Sequence, residues 1–282
     1  MAVSPELSRH AGRWFVVKLG GELVGKGALA GVAEGLRAFA EAGIKVAVIH
    51  GGGPQATALT KRLGLTPVQI AGRRVTDEAT LQVMKQALAG EVNVDLAAEL
   101  RSLGVRVLAL HGVSGGIIEG VKRPPQKILG GPDEPVDMGL VGDVASVNVE
   151  LLELLAGAGW TPAIASIAGD AKGGVWNINA DTVATRLAAE LKAAKLLLVS
   201  GVVGVLRDPS DPSTRISKIT PGDAKRLIDE GVITGGMIAK VQEALRSVQA
   251  GIDAVHVCGA AQGLMLEEAK APGSAGTVFA AA

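Results

Sequence analysis

AVIHGGGPQAT, Ala47 to Thr57, is an apolar run that ends in a histidine and three consecutive glycines before a helix opens at Pro54. Proline suits the first turn of a helix, where its missing N–H leaves no hydrogen bond unmade. The other N–H groups of that turn have no partner inside the helix, and glycines let an anion reach them with no Cβ in the way. A second strand-to-glycine junction stands nearer the amino terminus in VVKLGG, Val16 to Gly21, with Lys18 just ahead of Gly20 and Gly21. Strand, glycine turn and helix in succession are the units of an α/β fold, and two such junctions point to charged small-molecule ligands.

Outward from these junctions, strand-like and helix-like runs alternate almost from end to end. Strands are predicted at Phe15–Leu19, Lys45–His50, Val105–Leu110, Thr161–Ile167, Lys195–Ser200 and Asp253–Val257. Helical spacing of Leu29, Val32, Leu36 and Phe39 predicts a helix over Leu29–Ala42, stopped by Gly43. A longer helix is predicted over Asp77–Leu103, capped by Asp77, with Leu81, Met84, Leu88, Val92, Leu96 and Leu100 on one face. The expected fold class is therefore α/β, a three-layer αβα sandwich with a mainly parallel central sheet. Gly112 to Val147 breaks the alternation and reads as hairpins, with an exposed loop at KRPPQKILGGPDEPVD. A boundary near Ala193 divides an N-terminal lobe, 1–193, from a C-terminal lobe, 194–282.

Composition narrows the function. The 282 residues carry 28 basic and 28 acidic side chains, so nothing favours nucleic acid or an anionic membrane as a partner. Three Phe, three Trp and no Tyr leave few platforms for stacking bases. The single cysteine, Cys258, rules out an intrachain disulfide and any thiolate metal cluster, and reads as a packed small residue. MAVSPELSRH has no basic and apolar succession of a leader, and no segment is apolar enough to span a bilayer, so a cytoplasmic protein is expected.

Two generic nucleotide motifs come close and fail. GGELVGKG, Gly20 to Gly27, has the glycine-lysine spacing of a P-loop but puts Gly27 where a hydroxyl should hold magnesium. GGGPQA, Gly51 to Ala56, has dinucleotide-like spacing, yet the chain continues as TPVQIAGRRVTD rather than as an apolar strand ending in an acid for the ribose.

Taken together, VVKLGG at 16–21, IHGGGPQ at 49–55, GRRVTD at 72–77, NINADTVA at 177–184 and GGMIAKV at 235–241 make the chain resemble the N-acetylglutamate kinases of the amino acid kinase family. The resemblance runs from about Phe15 to Thr277. It implies transfer of the γ-phosphoryl group of ATP, with Mg2+, to the side-chain carboxylate of N-acetyl-L-glutamate. An ionised carboxylate needs no general base, so the work is to bring two anions together and to stabilise charge on the transferring group. By resemblance Lys18 and Lys240 are the catalytic lysines and Asp181 organises both, although Asp181 could also cap a helix. Gly52 and Gly53 match backbone donors to the substrate, Arg74 the arginine that grips its α-carboxylate, and Asn177 a further substrate contact, with Asn179 a weaker candidate. Arg73, one residue along, should point elsewhere. Gly20, Gly21, Ser200, Gly201, Gly235 and Gly236 fall at nucleotide-binding positions, and no protein ligand set for the metal is expected. The lobes are expected to divide the acylated amino acid, on the N-terminal side, from MgATP.

There are departures. Ser200-Gly201-Val202 lacks the acid usual after this strand, and LHGVSGGII replaces a frequent Ser-Gly-Lys-Asp-Gly. His50, His111 and His256 read as packed, hydrogen-bonded histidines. The segment before the first strand is about a dozen residues, shorter than the helical extension of arginine-inhibited hexamers in this family, so a homodimer without arginine feedback is expected, with the Asp77–Leu103 helix as a candidate interface. Two alternatives stand beside the main reading. One is a sister kinase for aminoadipate or glutamate on an amino-group carrier protein; the other is a non-catalytic amino-acid-binding regulator.

Overall fold

The computed structural model describes residues 4–25, 27–128 and 130–281. KVAVIH at Lys45–His50, WFVVKL at Trp14–Leu19 and KLLLVS at Lys195–Ser200 are nearly unbroken apolar runs because both faces of their sheet are covered. These strands form the middle of an eight-stranded sheet in the order Lys218–Ile219, Thr277–Phe279, Val255–Gly259, Lys195–Ser200, Trp14–Leu19, Lys45–His50, Thr161–Ala165, Val107–His111. All neighbours pair in parallel except Val255–Gly259 with Thr277–Phe279.

Alternate residues of the strands feed opposite layers. Val16, Ile49, Ile164 and Leu198 pack with the helices Ala180–Glu190 and Gly236–Gln249. Phe15, Val17, Leu19 and Val48 pack beneath the helices Ala30–Glu41, Asn93–Ser102 and Leu264–Lys270. The result is the αβα arrangement expected, and the sheet runs unbroken past Ala193.

Differences from the sequence reading have local causes. Thr161–Ile167 is not one strand: the sheet strand ends at Ala165, and Ile167–Gly169 joins a separate four-stranded sheet with Val175–Asn177, Ile118–Lys122 and Gly142–Val147. The last two form the antiparallel pair expected between Gly112 and Val147. Lys218–Ile219 and Thr277–Phe279 escaped notice because two or three residues carry no period. The loop at 122–137, of which residue 129 lies outside the described residues, is only partly exposed, since Ile128 is buried with Met138 and Val141 against Ile70, Val75 and Val136.

The long helix is capped as expected, with the Asp77 carboxylate accepting the Thr80 N–H at 2.7 Å. Its middle, Lys85–Val92, is wound as a π-helix between the α-helical stretches Glu78–Met84 and Asn93–Ser102. One extra residue per turn rotates the side chains that follow, and such segments recur beside functional sites. Here Leu88 and Val92 come up beneath Gly52, where a Cβ would lie 3.1 Å from each. Among the described residues no helix is long and apolar enough to cross a membrane.

Candidate active site

Leu19 is in register with His50 on one side and Val199 on the other, so the glycines after these strands meet at one edge of the sheet. The Gly20 N–H donates to the Val199 carbonyl at 2.9 Å. Gly21 lies against the second junction so closely that a Cβ there would sit 2.9 Å from the Gly52 Cα, while Gln55 Nε2 donates to the Gly21 carbonyl at 2.7 Å. Above this floor opens a cleft of about 940 Å³. It is the crevice outside the carboxyl ends of parallel strands where α/β folds hold ligands.

Lys18 points from its strand into the cleft, with Nζ 2.8 Å from Asp181 Oδ1 and a side chain 17% exposed. Asp181 sits in the first turn of Ala180–Glu190 but does not cap it. The cap is Asn179, whose side-chain oxygen accepts the Asp181 and Thr182 N–H groups at 2.7 and 3.3 Å. Two cap-type residues stand two positions apart, and the one with extended backbone takes the role. Asn179 is thus committed to the helix end, and Asp181 is left free to face Lys18.

Lys240 comes from the helix Gly236–Gln249, which follows Gly235 at φ +54, a left-handed conformation that glycine adopts without strain. The Lys240 Nζ donates to Ser200 Oγ at 3.3 Å rather than to Asp181, so one carboxylate does not directly grip both lysines. Burial lowers the Lys240 pKa from the ordinary lysine value, Lys18 nearby adds to the effect, and Glu22 and Asp181 oppose it. Glu22 was not singled out from sequence. Its carboxylate accepts the Gly201 N–H at 3.3 Å and tethers the first glycine turn to the third. Glu243, one turn beyond Lys240, also lines the cleft, and burial pushes its carboxyl up although Arg246 is 3.3 Å away. Neither acid carries a sequence signal beyond its place beside a glycine turn or a catalytic-type lysine.

Arg74 presents the sharpest polar feature of the cleft. One guanidinium nitrogen, Nη2, donates to Thr57 Oγ1 at 2.6 Å, while Nη1 is buried with no hydrogen-bond partner. Burial draws the Arg74 pKa below the ordinary arginine value. An orphaned charged donor of this kind costs on the order of 1–3 kcal/mol until an acceptor arrives, and a carboxylate is the natural one. Asn177, at the end of Val175–Asn177, lines the same wall and donates to Thr76 Oγ1 at 3.0 Å. Gly53 borders the cleft with open space where a Cβ would stand. Arg73 does not turn away as expected. It also lines the cleft, on the exposed side of the short strand Arg73–Arg74.

Ser200 and Gly201 border an adjoining cavity of about 370 Å³ with Leu23, Gly31, Gly259 and Leu264. Gly235 and Gly236 are at the start of the Lys240 helix. The sequence candidates therefore gather on one edge of the sheet. His50 and His256 are fully buried and hydrogen-bonded, and Cys258 is buried with its thiol pKa pushed up.

The chain is similar to several known proteins. The chain is 50% identical over 266 residues to the acetylglutamate kinase of Sorangium cellulosum, covering 94% of each chain. It is 38% identical over 259 residues to that of Methanocaldococcus jannaschii, covering 91% of this chain and 86% of the relative. In fold it resembles N-acetylglutamate synthase from Neisseria gonorrhoeae, with a TM-score of 0.80 at 24% identity over 98% of this chain and 61% of that one. Carbamate kinase from Giardia lamblia is similar at a TM-score of 0.65 and 16% identity, over 97% of this chain and all of that one. The model of the amino acid kinase family matches residues 13–259. On these grounds the chain belongs to the amino acid kinase family.

Proposed function

We propose that this protein is an ATP-dependent kinase that phosphorylates the side-chain carboxylate of N-acetyl-L-glutamate, a step of arginine biosynthesis. The observation that carries the reading is the Lys18–Asp181 pair at the meeting of two glycine turns, beside the unpartnered nitrogen of Arg74. The acetylglutamate kinases at 38–50% identity support it.

In this reading Arg74 and Asn177 hold the amino-acid end of the substrate, and Gly52 and Gly53 offer N–H groups to its anionic groups. The substrate carboxylate oxygen attacks the γ-phosphorus as the bond to ADP breaks, and no proton need be moved. Lys18 and Lys240 balance the charge spread over the phosphoryl oxygens, while Asp181 fixes Lys18 and Ser200 steadies Lys240. The nucleotide is met by Gly20 and Gly21 in the cleft, Gly201 in the adjoining cavity, and Gly235 and Gly236 at the start of the Lys240 helix. Mg2+ fits as an ion carried by the phosphate oxygens and water, because Asp181 is engaged with Lys18, Glu22 with the Gly201 N–H and Glu243 with Arg246. The N-terminal lobe takes the acetylated amino acid and the C-terminal lobe takes ATP. The protein works as a cytoplasmic homodimer, with the long helix at 78–102, on which Val94 is 61% exposed, as the contact face.

Trapping the acyl phosphate with hydroxylamine tests the reaction. Hydroxamate is expected from MgATP with N-acetyl-L-glutamate, and not from free glutamate, aspartate or N-acetylaspartate. Absence of product while ATP still binds would overturn the substrate assignment.

Replacing Arg74 by alanine removes the carboxylate grip, and KM for acetylglutamate should rise about 10–100-fold with a smaller change in kcat. Unchanged saturation would remove Arg74 from the substrate site.

The pH dependence follows from Lys240. Its lowered pKa means that the ammonium is lost earlier as pH rises, so kcat/KM for MgATP should fall on the alkaline side at a pH below 10.5. Arginine at 240 should move that limb upward, and a limb unmoved by the substitution would exclude Lys240 as its source.

A further inference from the structure

His50 stands immediately before the three glycines, fully buried and outside the cleft, and the reaction outlined above gives it no task. Its ring is held at both nitrogens. Nδ1 is 2.9 Å from the carbonyl oxygen of Gly51, and Nε2 is 2.7 Å from Asn93 Nδ2, which also donates to the Ala163 carbonyl at 3.1 Å. The Ala163 carbonyl can only accept, which makes this atom of Asn93 the amide nitrogen, and so Nε2 of the histidine is the acceptor. The proton therefore resides on Nδ1, the one arrangement in which the ring donates to Gly51. Burial keeps the ring neutral, with a pKa lowered to about 4.

The Gly51 carbonyl and the Gly52 N–H belong to one planar trans peptide and point in opposite directions. A peptide flanked by two glycines flips more easily than one between residues with side chains, because neither side has a Cβ to resist. With the carbonyl drawn inward to His50, the Gly52 N–H is turned away from the ring. Gly52 lines the cleft, and no acceptor for its N–H occurs among the described residues. Its other surroundings are equally fixed: Leu88 and Val92 of the π-wound segment close off one side, and Asn93 is the next residue of the same helix.

We infer that His50, locked by Asn93, is a positioning residue that holds the Gly51–Gly52 peptide with the Gly52 N–H facing the cleft. The inference rests on the reading of Gly52 as a donor to the substrate's anionic groups. The π-wound segment belongs to the same device, since it supplies the packing under Gly52 and leads directly into Asn93, whose amide fixes the ring.

The 15N shifts of the His50 ring in the intact protein record which nitrogen carries the proton. Nδ1–H with a bare Nε2 is expected, and the opposite tautomer would overturn the proposal. In kinetics, His50→Phe keeps the ring's bulk and loses the donor, so kcat per folded molecule should fall about 10–100-fold with KM for MgATP unchanged. Asn93→Leu keeps the histidine but frees its tautomer, and should give a fall of the same kind. A variant less thermostable but with kcat per folded molecule within about threefold of the parent would reduce His50 to a packing residue. Should His50→Phe fail to fold, Asn93→Leu and the ring shifts decide the matter. A parent that gives no hydroxamate with acetylglutamate would instead strike the reading on which this role depends, whereas an active parent with an unaffected His50→Phe strikes the His50 role alone.

Discussion

Replacing Lys18 by alanine is expected to lower kcat about 1000-fold while leaving the fold and the affinity for acetylglutamate nearly intact. The argument begins with position. Lys18 lies on a central strand, yet its ammonium reaches the cleft and meets Asp181 at 2.8 Å, at the meeting of the glycine turns at 20–21 and 51–53. A transferring phosphoryl group carries charge that two neighbouring lysines must balance, and Lys240 cannot cover both sides because it is held toward Ser200. Losing Lys18 also leaves Asp181 unpaired and facing the incoming anion, so the substitution removes an attraction and exposes a repulsion. Because the pair is partly solvated, the structural cost is small. Asp181→Asn keeps the shape and removes the charge, and should cost less. Turnover of Lys18→Ala within tenfold of the parent, in protein with an unchanged thermal midpoint, would refute the role.

The largest loss of stability is expected at Glu268, far from the chemistry. Its side chain is wholly buried, accepts from His256 Nδ1 and from the Gly273 N–H at 2.7 Å each, and takes the N–H groups of Ala275 and Gly276 at 3.1 and 2.7 Å. Lys195, also buried, lies 3.4 Å from the far nitrogen of the same ring. Glu268 is thus the anchor of the turn that precedes the strand Thr277–Phe279. Alanine there leaves four donors without an acceptor and should cost about 3–5 kcal/mol, lowering the thermal midpoint by roughly 10 °C. A shift under about 2 °C would show that the turn is held by other contacts.

Acid should reveal the same network. Burial alone would raise the Glu268 carboxyl, but the hydrogen bonds outweigh it and hold the group below the ordinary value. Its contribution is present above the unfolded pKa and lost as pH falls through the folded one. Burial lowers the pKa of His256, and that of His50 to about 4, so the unfolded chain binds protons first as pH drops below 6.5. All three groups act in one direction: the two histidines should make stability measured by denaturant decline from about pH 6.5 toward 4, and the loss of the Glu268 contribution should add to the decline below 4.5.

Sequence was most informative where a strand had five or six residues and two covered faces. Lys45–His50 and Lys195–Ser200 were predicted to the residue, because burial on both sides leaves an unbroken apolar run with sharp ends. It was least informative where a feature depends on a partner distant in the chain. The π-winding of Lys85–Val92 has no period of its own; the apolar spacing around Leu88 suits an α-helix, and the packing of Leu88 and Val92 against Gly52 is visible only in the fold. The choice of Asn179 over Asp181 as cap, the inward turn of Arg73 and the tether from Glu22 to Gly201 likewise follow from tertiary neighbours. In the site, the residues recognised from motifs are the ones whose chemistry is tied to a glycine turn. Glu22 and Glu243 look like ordinary surface acids in the sequence.

The unbroken sheet has a consequence for the reaction's entropy. Leu19, His50 and Val199 lie on three adjacent strands, and neighbouring strands in a sheet are spaced by about 4.8 Å. Lys18 and the glycine turns at 20–21, 51–53 and 201 therefore project from rows whose separation is set by backbone hydrogen bonds. Acceptor and donor arrive at a pre-measured distance, and most of the loss of freedom that two-body encounter demands has already been met in folding. Such a frame converts stability of the sheet directly into effective molarity at the reacting atoms. Changes that loosen strand pairing, even far from any ligand, should then register first as slower turnover rather than as weaker binding.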